Sequence, residues 1–207
     1  MEMQTQPSAT PIPQTVFDRL MEEGLGASGR DDLAGALGAW RAAAVEQPAS
    51  ALPHFLIGAE LAQAARIDEA EASFAHAVLL APEFLTARYQ LGLLQFTSGR
   101  AAVAMLTWEP LLGLGADHAV RAFVEGFAHL AADAFDAALE RFAAGMALNR
   151  DNPPMNGDIA KVVAAIHAAR GGASARAGDA SVDGPDADGD PPHVLLAAYR
   201  DQQGPVH

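Results

Sequence analysis

Between Gly24 and Pro153 a single interval recurs in three separate residue series. The first is Gly24, Gly58, Gly92 and Gly126; the second is Ala36, Ala70, Ala104 and Ala138; the third is Trp40, Phe74, Trp108 and Phe142. Pro48 and Pro82 keep the same step. A fixed period of this length, about 34 residues, means one supersecondary unit copied along the chain, each copy burying its apolar face against the next. Within each copy the apolar residues recur at helical spacing, as Val16, Phe17, Leu20 and Met21 do ahead of Gly24. The chain therefore reads as all-α, with about four helix-turn-helix pairs and then one lone helix over residues 157–170 that carries Ile159, Val162, Val163 and Ile166 on one face.

Punctuation residues divide the chain further. Residues 1–14, rich in proline and polar side chains, are expected to form an arm without fixed structure. The repeat region with its closing helix spans 15–170. The turn at Ser28-Gly29-Arg30 reads as about two residues longer than its counterpart at Ala65-Arg66-Ile67. Pro110 lies inside the second helix of the third pair, where it removes the bond to the carbonyl of Leu106 at a cost of roughly 3 kcal/mol. A kink or early helix end is expected near Glu109. Residues 171–192, with Gly171-Gly172 and Asp179, Asp183, Asp186, Asp188 and Asp190, read as an acidic linker. An apolar island at 193–200 (Val194, Leu195, Leu196, Tyr199) has the makings of a short helix, and 201–207 reads as a tail.

Charge narrows the partners. The formal net charge is −13, and every basic residue except Lys161 is arginine. Such an acidic surface repels phosphate backbones, so nucleic acid and anionic membranes are not expected as partners. The absence of cysteine excludes disulfides and thiolate chemistry. The start of the sequence has no basic, apolar leader, and the cytoplasm is the expected compartment.

In its small first-helix residue, its second-helix alanine and the aromatic four residues later, the segment Gly24 to Pro153 resembles a run of tetratricopeptide repeats. A further small residue follows at Ala43, Ala77 and Gly145, with Leu111 as the departure in the third pair. The resemblance implies a right-handed α-solenoid, closed by the C-terminal helix, whose concave surface is lined by the first helices. Carrying the period through those helices gives a candidate peptide groove of Phe55, Ala59, Ala62 and Gln63, then Tyr89, Leu93, Phe96 and Thr97, then Phe123, Phe127 and Leu130. Members of the family that clamp a terminal carboxylate use Lys, Arg and Asn at such places. This lining is apolar, and it suits an apolar helix or extended segment of another protein. The same residues are also readable as packing against one another. The resemblance thus implies a non-catalytic protein–protein interaction scaffold, an adaptor, with a chaperone resembling those of bacterial type III secretion as the alternative. Val194, Leu195, Leu196 and Tyr199 supply a self-docking segment, within one chain or between copies in a homo-oligomer.

Catalytic patterns are thin. His54, His76, His118, His129 and His167 lack the close spacing of a metal motif, and an enzyme or metal protein is the weaker alternative. Glu125 and His129 stand four apart on one helix, where surface contact is the ordinary outcome. Asp186-Ala187-Asp188-Gly189-Asp190 opens like a calcium loop but has Ala197 where the closing glutamate belongs. No cofactor, metal or catalytic residue is assigned.

Overall fold

The computed structural model describes residues 15–179 and divides into two compact units, one ending at Glu83 and the other starting at Phe84. Every described element is a helix. The first unit holds α1 (Val16–Ser28), α2 (Leu33–Glu46), α3 (Ala51–Gln63) and α4 (Ile67–Leu80). They form two antiparallel pairs, and α2 also packs on α3. The second unit holds α5 (Leu85–Thr97), α6 (Ala101–Trp108), α7 (Ala119–Ala131), α8 (Phe135–Leu148) and α9 (Pro153–Asp179), with a 3-10 turn over Glu109–Gly113.

The turn inside each pair is built the same way. Asp31, Ala65, Gly99 and Asp133 all have positive φ, between 55° and 82°, and they follow one another at the step of the repeat. The next residue donates its N–H back across the helix end each time: Asp32 to Ala27 O, Arg66 to Leu61 O, Arg100 to Gln95 O, and Ala134 to His129 O, at 2.9–3.0 Å. A left-handed residue just past the helix end reverses the chain and satisfies a carbonyl the helix would leave open. The first turn is thus in register with the second and carries no insertion, contrary to the expectation from Ser28-Gly29-Arg30. Alanine has no side-chain compensation for that backbone region, so Ala65→Gly is expected to stabilise the fold by about 1 kcal/mol, read as a rise in urea midpoint.

The three residue series meet inside each pair. A Cβ added at Gly24 would lie 2.2 Å from Trp40 Nε1, at Gly58 2.7 Å from Phe74 Cδ1, at Gly92 2.2 Å from Trp108 Nε1, and at Gly126 2.6 Å from Phe142 Cδ1. The ring of the second helix therefore occupies the place of the first helix's missing side chain. Ala36, Ala70, Ala104 and Ala138 are fully buried beside these contacts. Close helix approach through small residues, with an aromatic filling the adjoining gap, gives dense packing. Where the ring is tryptophan its buried N–H needs an acceptor, and it finds Met21 O (3.4 Å) or Tyr89 O (2.9 Å). Gly38, by contrast, is exposed in mid-α2, with nothing within 4 Å of an added Cβ. Gly38→Ala is expected to raise stability by about 0.5–1 kcal/mol through helix propensity alone, measured by the same unfolding curve.

Pro110 acts where expected: α6 stops at Trp108 and the chain tightens into the 3-10 turn, with fully buried Leu111 in the slot that is small in the other pairs. The closing helix differs in extent. α9 begins at Pro153, whose missing N–H costs nothing at a helix start, and it runs past Gly171-Gly172 to Asp179 rather than over 157–170. Met155, Ile159, Val162 and Ile166 bury one face of α9 in the core of the second unit, with α8 as its helix neighbour. Asn149, Asn152 and Asn156 lace the corner, Asn149 Nδ2 donating to Asn152 O and Asn156 Oδ1 at 2.7 Å each. Among the described residues no helix is long and apolar enough to cross a membrane.

Candidate functional site

Aromatic residues on the first helices face two different ways. In the first unit Phe55, Ala59 and Ala62 are half-buried and Gln63 is exposed, with the Phe55 ring 5.8 Å from Phe74. In the second unit Leu93 and Thr97 are half-buried, and the Thr97 hydroxyl donates to Leu93 O at 2.9 Å. Tyr89, Phe96, Phe123, Phe127 and Leu130 are buried. Phe127 has the rings of Phe96, Trp108 and Phe142 each at 5.0 Å, and Tyr89 lies between Trp108 (6.0 Å) and Phe123 (6.2 Å). Phe123 in turn fills the space left by Gly145, whose added Cβ would meet its ring at 2.4 Å. As groove lining these five are corrected: their faces meet neighbouring helices of the unit, and burying such rings is more favourable than exposing them. The remaining predicted residues keep accessible surface. Val194, Leu195, Leu196 and Tyr199 lie outside the described residues, as do the 1–14 arm, the calcium-like stretch and residues 180–207.

Histidines far apart in sequence come together in one place. The His54 ring of α3 stacks on the His76 ring of α4, with centroids 4.0 Å apart and planes 28° from parallel. Partial burial, and then the neighbouring His76, hold the His54 pKa below its ordinary 6.5. No spacing rule within one helix reveals such a pair, since it depends on how two antiparallel helices cross. Among the described residues no group of three or more His, Asp or Glu is placed to hold a metal ion. Glu125 pairs with arginines instead of His129, accepting from Arg121 Nε at 2.8 Å and Arg141 Nη1 at 3.0 Å. The Arg121 hydrogen bond is the main reason its carboxyl titrates below the usual range, with Arg141 adding to it. His118 has a structural task, its Nδ1 accepting from Val120 N at the start of α7.

The stack sets a pH dependence. Arg41 and Glu69 line the same cleft as His54, and the His76 ring faces the His54 ring directly. Because the fold lowers the His54 pKa, its contribution is complete above about pH 6.5 and is lost as pH falls from there through the folded value. The urea midpoint should therefore fall between about pH 7.5 and about pH 5.5, and His54→Gln should flatten that part of the profile. An unchanged profile would remove the histidine stack from the account of stability.

The first unit also has a cleft of about 430 Å³ formed by α2, α3 and α4. Its polar groups are Arg41, His54, Glu69 and Ser73, over Ile57 and Leu61. It brings together a cation, a carboxylate held by Arg66 and an apolar floor.

No family model and no curated protein matches this sequence. Solved structures do match. "Crystal structure of MamA" is 18% identical with a TM-score of 0.54, covering 66% of this chain and 79% of its own. "MamA 41-end from Desulfovibrio magneticus RS-1" is 15% identical with a TM-score of 0.55, covering 74% of this chain and 92% of its own. "MamA RS-1 ArsTM double mutant" is 14% identical with a TM-score of 0.57, covering 91% and 97%. Identities this low speak to fold alone, and on that point they agree with the repeat register, the recurring left-handed turn and the glycine–aromatic contacts: this chain has the tetratricopeptide-repeat fold of consecutive helix pairs.

Proposed function

We propose that the protein is a non-catalytic scaffold that binds an apolar segment of another protein. The fold likeness supports a protein-interaction role, and one observation carries the reading further. Val45 on α2 and Leu79 on α4 occupy the same register position, one repeat apart, and are 77% and 76% exposed. Large aliphatic side chains repeated at the surface of the second helices of successive pairs are the anchors a helix or strand of a partner would cover. The accessible first-helix residues Ala59, Ala62 and Gln63 offer a second contact area in the same unit.

The test is affinity capture with the full chain as bait, followed by binding of the purified captured protein. Val45→Asp with Leu79→Asp should weaken that binding at least about tenfold, since each charge meets an apolar contact in the complex. Circular dichroism should be unchanged, because both sites are exposed. Ala62→Arg reports on the first-helix face in the same assay. Full binding by both variants would sink the reading.

A further inference from the structure

The cleft of the first unit has a chemistry that the scaffold reading, on which this inference rests, does not by itself specify. Its walls are Ala44 of α2 and Ala72 of α4, whose short side chains leave the space open above buried Ile57 and Leu61. Arg41 stands at the edge. Glu69 lines the same cleft, but its carboxylate is already taken: Arg66 Nε donates to Oε1 at 2.7 Å and Nη2 to Oε2 at 2.6 Å. Arg41 acts on Glu69 only through space, and among the described residues it makes no ion pair. The stacked His54 is held towards its neutral form and supplies no negative charge. An apolar floor thus lies beside a guanidinium that has no carboxylate of its own, in a chain of net charge −13.

The second unit shows how a carboxylate can be supplied from within the repeat. Glu125 stands two repeats after Ile57, and Arg141 stands two repeats after Ser73. There the carboxylate and the guanidinium meet at 3.0 Å, and Arg121 holds the other oxygen at 2.8 Å. The second unit carries its own carboxylate at this place. At these two register positions the first unit has Ile57 and Ser73, and the guanidinium at its cleft comes from a different position, Arg41 on α2.

We infer that the α2–α3–α4 cleft receives a partner-protein peptide that presents an aliphatic side chain next to a carboxylate. The aliphatic group lies on Ile57 and Leu61 between the two alanines, and the carboxylate pairs with Arg41. A guanidinium–carboxylate pair adds direction to an otherwise non-directional apolar contact.

The probe is acetyl-Ala-Leu-Asp-Leu-Ala amide, titrated into the ¹⁵N-labelled full chain by NMR. Saturable shifts are expected at the amides of Ala44, Ala72 and Ser73. Replacing the peptide's Asp by Asn, or Arg41→Gln in the protein, should raise the dissociation constant about tenfold, the scale of one charge-assisted pair. Ala72→Trp fills the cleft and should abolish the shifts, with circular dichroism showing that each variant is folded. Equal affinity of the Asn peptide, or shifts that fall elsewhere, would overturn the inference. So would shifts at Ala44 and Ala72 on introducing Leu195→Asp and Leu196→Asp without peptide, because the occupant would then be the chain's own C-terminal segment. If the cleft variants bind a captured partner like the unaltered chain while Val45→Asp with Leu79→Asp does not, the cleft assignment fails and the scaffold reading stands.

Discussion

Replacing Trp108 by alanine is expected to lower the stability of the second unit by about 4 kcal/mol, the upper range for deleting a buried aromatic. Trp108 is fully buried, and its ring contacts are with Tyr89, Phe96 and Phe127. Its N–H donates to Tyr89 O at 2.9 Å, so truncation leaves that carbonyl without this donor as well as opening a cavity. Since whole domains are stable by only about 5–15 kcal/mol, this one change should bring the unit close to unfolding at room temperature. Urea denaturation followed by circular dichroism checks it. A loss below about 1 kcal/mol would mean that the ring is not enclosed as described.

The second large effect comes from adding a single methyl group. Gly92→Ala places Cβ 2.2 Å from Trp108 Nε1 and 2.4 Å from Cε2, so the ring must move inside a closed core. Helix propensity would favour alanine by about 1 kcal/mol, but overpacking of this kind costs about 1–3 kcal/mol and outweighs that gain here. A net loss of about 1 kcal/mol, and up to about 2 kcal/mol, is expected. In a Trp108→Ala background the obstacle is gone, and the same Gly92→Ala change should be neutral or mildly stabilising, which gives a coupling that neither single variant shows. The contrast with Gly38→Ala, on open surface and of opposite sign, separates a packing glycine from an incidental one.

Much of the fold is legible in the sequence because these contacts leave a mark there. Gly92 and Trp108 have to co-occur, so their period is preserved, and Pro110 announces the end of α6 through its missing N–H. The turns are less legible. Their left-handed position is held by Asp31, Ala65, Gly99 and Asp133, and only Gly99 advertises it, so Ser28-Gly29-Arg30 gives a false impression of a longer first turn. Gly171-Gly172 reads as a stop, yet glycine costs only about 1 kcal/mol each inside a helix and α9 continues through the pair.

The site is harder still. Periodicity shows that Tyr89, Phe123 and Phe127 share the apolar side of their helices, but the same pattern results whether that side meets a ligand or the next helix. Burial decides for the core. The cleft beside Arg41 leaves no pattern at all, because it is made by what is small, Ala44 and Ala72, and by the crossing of three helices.

The division between core and binding surface is tested most directly at Phe127, which the repeat register offers as groove lining and which is fully buried against Phe96, Trp108 and Phe142. Equilibrium urea unfolding of Phe127→Ala is the measurement. The expected result is a loss of about 3–5 kcal/mol. A change within about 0.5 kcal/mol, the usual range for a surface substitution, would contradict the placement of the first-helix aromatics in the core.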